Sequence, residues 1–362
     1  MTDLRYGELE QELRGTVREM LSAQSPPEQV LARCEGGDPY DPKLWRTLAA
    51  EMGLAGLAVP ERYGGGGAGW REAAVVLEEL GRAVAPVPYL GSAVVATAVL
   101  RAVDDRALLT DLAAGAATAA LAAPFATAPG PPTDPTVRAA GDNLTGTVRG
   151  VADALHADVL LVPTGDGLFA VPADTPGVGR HPLVTLDLTR PLCDLSLAAA
   201  PGWRLAAGPE SARAVAAGLT AGAALLASEQ LGVAEWCLDT TVEYVRTRYQ
   251  FARPVGSFQA LKHRLADLWV EIAQARAVAR HAAGCLATGD PDTPVATALA
   301  QAFCAPVAVH AAEECVQLHG GIGFTWEHPA HLYLKRAKSG AIGFGTADRH
   351  RATLATLVDL PG

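Results

Sequence analysis

No two of the six cysteines (34, 193, 237, 285, 304 and 315) are spaced Cys-x-x-Cys. That spacing excludes a thioredoxin-type redox pair, and scattered thiols are expected to be reduced core residues of a cytoplasmic protein. No window approaches about 18 uninterrupted, strongly apolar residues, so a membrane-spanning helix is not expected. A charged stretch running into an apolar one is also missing: residues 1–23 read as a polar amphipathic helix rather than a secretory leader. Positive charge is scarce, with 29 Lys and Arg against 39 Asp and Glu and a formal net charge of -10. Nucleic acid and anionic membrane are therefore excluded as principal partners. No glycine-rich stretch leads into Lys-Ser or Lys-Thr, so there is no P-loop.

What the chain does have is length and apolar content. Its 362 residues are 49% hydrophobic, enough for a large core divided among two or three domains. Residues 1–117 read as a helical domain: Leu9, Leu13, Val17 and Leu21 recur every four residues and form one apolar face. Asp41-Pro42 before Leu44-Trp45 reads as an N-cap with proline at the first helical position. Residues 118–207 change texture. Prolines 124, 129, 131, 132 and 135 mark a loop, and strand-like runs follow at 136–139, 144–148, 159–163 and 168–171. With Gly141-Asp142-Asn143 and Gly165-Asp166-Gly167 as turns and no helix between, the pattern predicts a small antiparallel barrel or sandwich. Residues 208–362 return to helical periods. The stretches 212–247, 258–287 and 293–319 suit a four-helix bundle, broken at Gly289-Asp290-Pro291 and ended at Gly320-Gly321 in the manner of a C-cap. The expected fold class is thus α+β, with a small β domain between two helical ones.

Gly64 to Gly69 satisfies G-x-G-x-x-G, but it follows a helical region and Pro60 rather than a strand. It reads as a loop, which leaves a nicotinamide-binding Rossmann unit without support. Histidines 310, 319, 328 and 331 lack the paired spacing of metal ligands on one helical face, so no metal is expected and they read as satisfied polar positions or cofactor contacts.

Two segments carry more information. One runs Arg248-Tyr249-Gln250-Phe251-Ala252-Arg253-Pro254-Val255-Gly256-Ser257-Phe258-Gln259, the other Gln317-Leu318-His319-Gly320-Gly321-Ile322-Gly323-Phe324. Arg248 ends a long helix where the chain turns; a guanidinium there can serve the helix dipole or grip a diphosphate with its planar donor fork. Both segments resemble signatures of the acyl-CoA dehydrogenases. So do Trp45-x-x-Leu-Ala-x-x-Met-Gly-Leu-x-Gly-Leu-Ala-Val-Pro60-Glu-Arg-Tyr-Gly-Gly and Leu77-Glu78-Glu79-Leu80-Gly81-Arg82, and the likeness extends over nearly the whole chain. The resemblance implies an FAD flavoprotein that removes two hydrogens from an acyl thioester, carried on CoA or on a carrier protein. By the same resemblance, Arg248, Phe251 and Gln259 would touch the ADP half of FAD. Gln317, Gly320, Gly321 and Thr346 would contact the same cofactor, which in this family is often the neighbouring subunit's.

Against that pattern the catalytic base is missing. Members of the family place a glutamate either before the Gly-Thr of the last segment or on the long helix before the Arg motif. Here those places hold Phe344 and Gly222, and neither side chain can accept a proton. Glu229 is the weak substitute, seven residues past Gly222 and roughly 10 Å further along the helix; it reads rather as a buried, paired carboxylate. The ring-lining loop of the family is replaced by residues 122–130, and the triplet beside the isoalloxazine by Gly150-Val151-Ala152. The coherent expectation is an α2β2 assembly in which a homologous partner supplies the base and that loop. The rivals are a self-sufficient homo-oligomer using Glu229 and a flavin-free structural subunit.

Overall fold

The computed structural model describes residues 4–130 and 135–360. Residues 1–3 and the loop prolines Pro131 and Pro132 lie outside the described residues. The first helices are α1 (Glu8–Gln24), α2 (Pro27–Glu35), α3 (Pro42–Arg46), α4 (Trp70–Arg82), α5 (Thr97–Ala102) and α6 (Arg106–Ala113). Asp41 caps α3, its Oδ1 accepting the Leu44 N–H at 3.0 Å, with Pro42 at the first helical position. In α1, Val17 and Leu21 are buried, but Leu9 is 80% exposed. The leucine stripe therefore does not set the whole buried face. Ion pairs do much of that: Glu10 meets Arg71, and Arg14 and Arg18 meet Glu79 of α4.

The middle region holds β1 (Ala119–Leu121), β2 (Val137–Ala140), β3 (Asn143–Ala152), β4 (Val159–Thr164), β5 (Gly167–Pro172), β6 (Val178–Pro182), β7 (Leu192–Pro201) and β8 (Trp203–Ala207). They form two four-stranded sheets, ordered β1-β4-β5-β8 and β2-β3-β7-β6. Leu144, Val148 and Leu195 of one sheet share a core with Leu160, Val162 and Phe169 of the other, which makes a sandwich. Two features depart from the sequence expectation. Among the described residues no barrel closes, and β1 pairs with β4 in parallel. β1 comes directly from the helical domain and has no hairpin turn to reverse it.

The remaining chain contains α7 (Gly208–Thr247), the short hairpin β9 (Tyr249–Gln250) and β10 (Arg253–Pro254), then α8 (Gln259–Thr288), α9 (Thr293–His319), α10 (Ala330–Gly340) and α11 (Ala347–Leu357). By length and composition α7 and the stretch Thr293–Phe324 could cross a membrane, a property hidden from a search for uninterrupted apolar runs. In the fold both are core helices, 78% and 67% buried over their most apolar windows. α4 crosses α7 at close range: a Cβ on Gly81 would lie 2.1 Å from the Glu229 carbonyl oxygen, and one on Gly232 1.9 Å from that of Glu78. This crossing ties the first helical region to the bundle and brings the wall of the site together.

Candidate active site

The two positions expected to carry a base, 122 residues apart, touch. A Cβ on Gly222 of α7 would lie 2.5 Å from Cζ of Phe344, in the turn between α10 and α11. Phe344 adopts φ +53, a backbone region costly for an aromatic residue. Hydrogen bonds hold it there: its N–H donates to the Phe125 carbonyl at 2.8 Å, and His350 Nε2 donates to its carbonyl at 2.9 Å. The Phe125 ring meets the Phe344 ring edge-on, centroids 5.5 Å apart. Gly343 is open to Phe125 in the same way, since a Cβ there would lie 2.5 Å from Phe125 Cζ. The two rings fill the space between Gly222, the 122–130 segment and Ala152. What remains is a cavity of about 30 Å³ bounded by Leu90, Leu121, Asp153 and Leu219 as well. That volume takes a water molecule or two.

Asp153, which the sequence motifs do not single out, lines the same cavity. It is the only ionisable residue among those lining the cavity. It follows directly on Gly150-Val151-Ala152, so a scan for carboxylates beside that triplet would have found it. With φ +60, it turns its Oδ2 to accept the Gly91 N–H at 3.0 Å. Burial pushes its carboxyl above the ordinary value, opposed by Arg190 and Arg336.

Glu229 lies outside that cavity lining. Its side chain is 2% exposed and paired twice: Arg190 Nη2 reaches Oε2 at 2.5 Å, while Arg336 Nε and Nη2 reach the two oxygens at 2.8 and 3.1 Å. Burial raises its pKa, but the two guanidiniums outweigh burial and hold it at about 2. A carboxylate so stabilised is a weak proton acceptor. Arg190 also sits over the Phe125 ring, 5.3 Å from its centroid, which links the ion pair to the cavity wall.

The residues expected to contact the cofactor stand in the opposite condition. Arg248, Phe251, Gln259, Gln317, Gly320, Gly321 and Thr346 are all exposed. The Arg248 N–H closes α7 on Tyr244, and β9 and β10 then project Phe251, which is 86% exposed, beyond the bundle. Gly320 ends α9 at φ +62 and ψ -138, a combination open essentially to glycine alone. Tyr244, four residues before Arg248, stacks on His319, one residue before Gly320, at 4.4 Å. The two signature segments therefore meet at one end of the bundle, beside the exposed apolar side chains of Tyr249, Phe324 and Trp326. Thr346 lies apart from them in the Phe344 turn, where its Oγ1 accepts the Arg349 N–H and caps α11.

The histidines divide. His310 is satisfied by Glu271 at 2.8 Å, but Nε2 of His319 and both nitrogens of His331 are buried without a partner, so of the two expectations for these histidines, satisfied polar positions holds for His310 and not for those nitrogens. Among the described residues no group of His, Cys, Asp or Glu could hold a metal ion.

Comparison with known proteins decides the family. Residues 7–107 match the acyl-CoA dehydrogenase N-terminal domain, and residues 212–358 match the acyl-CoA dehydrogenase C-terminal domain. The chain belongs to the acyl-CoA dehydrogenase family. Acyl-CoA dehydrogenase IpdE2 of Mycolicibacterium smegmatis is 38% identical over 335 residues, covering 91% of this chain and 92% of its own. Among solved structures, a chain of the ChsE4–ChsE5 complex from Mycobacterium tuberculosis superposes with a TM-score of 0.87 and 29% identity, covering 100% of both chains. A chain of the Tcur3481–Tcur3483 steroid ACAD gives 0.86 and 32%, covering 98% of both. Acyl-CoA dehydrogenases are oxidoreductases whose members bind FAD. In this acyl-CoA dehydrogenase chain, the exposed Arg248 fork and the glycine backbone at 320–321 suit an anionic dinucleotide, while the Phe125 and Phe344 rings occupy the space beside Gly222.

Proposed function

We propose that the chain is one subunit of a heteromeric acyl-CoA dehydrogenase and completes an FAD site at the subunit interface. It reads as three domains, 1–117, 118–207 and 208–362, of a cytoplasmic protein whose six cysteines are all free and buried. The observation that carries the proposal is the Phe344 ring seated against Gly222. Both customary base positions are occupied by each other's contact, while the cofactor-facing residues look outward.

In this reading Arg248, Phe251 and Gln259 would hold the ADP half of FAD, with Gln317, Gly320 and Gly321 offering backbone and amide donors to the same molecule. Bound flavin supplies a hydride acceptor. This chain excludes water on its side of the interface with the apolar rim of Tyr249, Phe251 and Phe324, which are 62%, 86% and 75% exposed before assembly. The partner contributes the carboxylate that takes the thioester's α-proton and the loop that lines the ring. Two of the similar structures are two-component assemblies and one is named for steroids, so a steroid-derived acyl thioester is the favoured substrate class.

The test is co-expression with a homologous subunit bearing a glutamate at either base position. The complex should hold FAD and reduce an electron-accepting dye with acyl-CoA. The chain by itself should bind FAD weakly and lack that activity. Rapid turnover by the isolated, flavin-loaded chain would overturn the proposal. Loss of that turnover in Glu229→Gln, with an unchanged flavin spectrum, would then point to the self-sufficient alternative.

A further inference from the structure

The chain's formal net charge is -10, yet residues 246–264 hold five Lys or Arg and no Asp or Glu. All five are exposed: Arg246 in the last turn of α7, Arg248 just past it, Arg253 in β10, and Lys262 and Arg264 near the start of α8. Arg264 pairs with Glu314 of α9 at 2.5 Å. Among the described residues the other four make no ion pair. Glu243, Asp267 and Glu327, the acids that flank these segments along the chain, pair with none of them. The cations border apolar surface. Arg253 lies over the Phe258 ring, 3.8 Å from its centroid, and Phe258 meets the exposed Phe251 edge-on at 6.2 Å. Lys262 follows one turn later, its N–H donating to the Phe258 carbonyl at 3.2 Å. Lys335 of α10 lies over the exposed Trp326 ring at 4.7 Å.

Exposed aromatic side chains edged by charge have the pattern of a protein interface, apolar at its centre and polar at its rim. We propose that this end of the bundle docks an acidic-rimmed surface of a second, non-identical subunit: Tyr249, Phe251, Phe324 and Trp326 form the centre of the contact, and Arg246, Arg253 and Lys262 meet carboxylates of the partner at its edge. The proposal rests on the interfacial reading above, in which Arg248 belongs to the dinucleotide, and it specifies the chemistry of the partner's facing surface.

Charge argues against the other occupants. A two-fold contact of this patch with a second copy of itself would set the same surface on both sides, cation against cation. The dinucleotide does not absorb the surplus either: one guanidinium fork, that of Arg248, suffices for a diphosphate, and three exposed cations are left without a counter-charge. Carboxylates on a different chain answer all three at once. Such rim pairs steer encounter and select the partner more than they add affinity, so the aromatic centre supplies the hold and the basic edge the choice.

The experiment dilutes the complex co-expressed with a homologous, glutamate-bearing subunit and reads its dissociation constant by sedimentation. The Kd should rise about tenfold or more between about 20 and about 500 mM salt, as the Debye length shrinks from about 20 Å to about 4 Å. Arg246→Glu and Lys262→Glu should each weaken assembly about tenfold at low salt and flatten the salt dependence, with FAD content per assembled complex unchanged. Lys43→Glu, at an exposed cation of α3, should do neither. Should a Glu variant not fold, the corresponding Gln variant should weaken assembly about threefold. A Kd indifferent to salt and to these substitutions overturns the proposal. So does loss of FAD from Arg246→Glu or Lys262→Glu with assembly intact, which would make the cations dinucleotide ligands. Self-association of the chain alone through the same residues would make a second copy the occupant and overturn it too. Absence of any complex at every salt concentration would instead overturn the heteromeric reading, and this proposal with it.

Discussion

The tip of the Phe344 ring lies 2.5 Å from where a side chain on Gly222 would begin, so each residue at a customary base position determines what the other can be. Gly222→Ala forces the ring or α7 to move and should cost about 1–3 kcal/mol. Phe344→Ala empties a buried aromatic site and should cost about 3–5 kcal/mol. In the double variant the alanine methyl gains room, so the two penalties should sum to clearly more than the combined loss. Urea unfolding of the four proteins checks this; strict additivity would show that the contact is not shared.

Glu229 should prove structural. Glu229→Gln leaves Arg190 and Arg336 buried against a neutral amide and should destabilise by about 3–5 kcal/mol. Its folded pKa of about 2 is depressed from 4.5, so its stabilising contribution is complete above the unfolded value and drains away as pH falls from 4.5 towards 2. Unfolding midpoints measured down that range should fall more steeply in the wild type than in Glu229→Gln.

Asp153 should behave oppositely. Its carboxyl is raised by burial, so its contribution is greatest at low pH and declines as pH rises through the folded value. Asp153→Asn keeps an oxygen for the Gly91 N–H and tolerates φ +60, so at neutral pH it should equal or exceed the wild type in stability. Asp153→Ala loses the hydrogen bond and should cost about 1–2 kcal/mol by the same thermal or urea measurement. An Asn variant as weak as the Ala variant would show that the charge itself is needed.

The α4–α7 crossing should be intolerant of a single methyl. Gly232→Ala places a Cβ 1.9 Å from the Glu78 carbonyl oxygen, backbone against backbone, with no flexible side chain to yield. Loss of about 1–3 kcal/mol is expected, and Gly15→Ala, where a Cβ meets nothing within 4 Å, serves as the control. Thermal unfolding of the pair separates crowding from helix propensity.

Local pattern and motif made much legible in advance. The long helical periods ended at Thr247 and His319 as read, because apolar spacing, Gly289 and Gly320 are local signals. Asp41 capped its helix for the same reason. Other features were not local. Leu9 sat on an apolar stripe yet faces solvent, because the partner of α1 is recognised through charge. β1 runs parallel to β4 because strand pairing is settled by where the helical domain delivers the chain. Asp153 adjoins the 150–152 triplet in sequence, but that it lines a cavity is decided by packing, because the other walls come from residues far along the chain such as Leu90, Leu219 and Phe344.

The sequence by itself determined the family, the order of helical and β regions, and the want of a carboxylate at positions 222 and 344, because residue identity is a local fact. Only the tertiary structure decided what that want means. Packing brings Gly222 and Phe344 together so that a ring fills the notch, clamps Glu229 between two arginines, and leaves Arg248, Phe251, Gln259, Gln317 and Gly320 exposed. Those outcomes depend on helices distant in sequence meeting at van der Waals range, and no spacing along the chain encodes that distance.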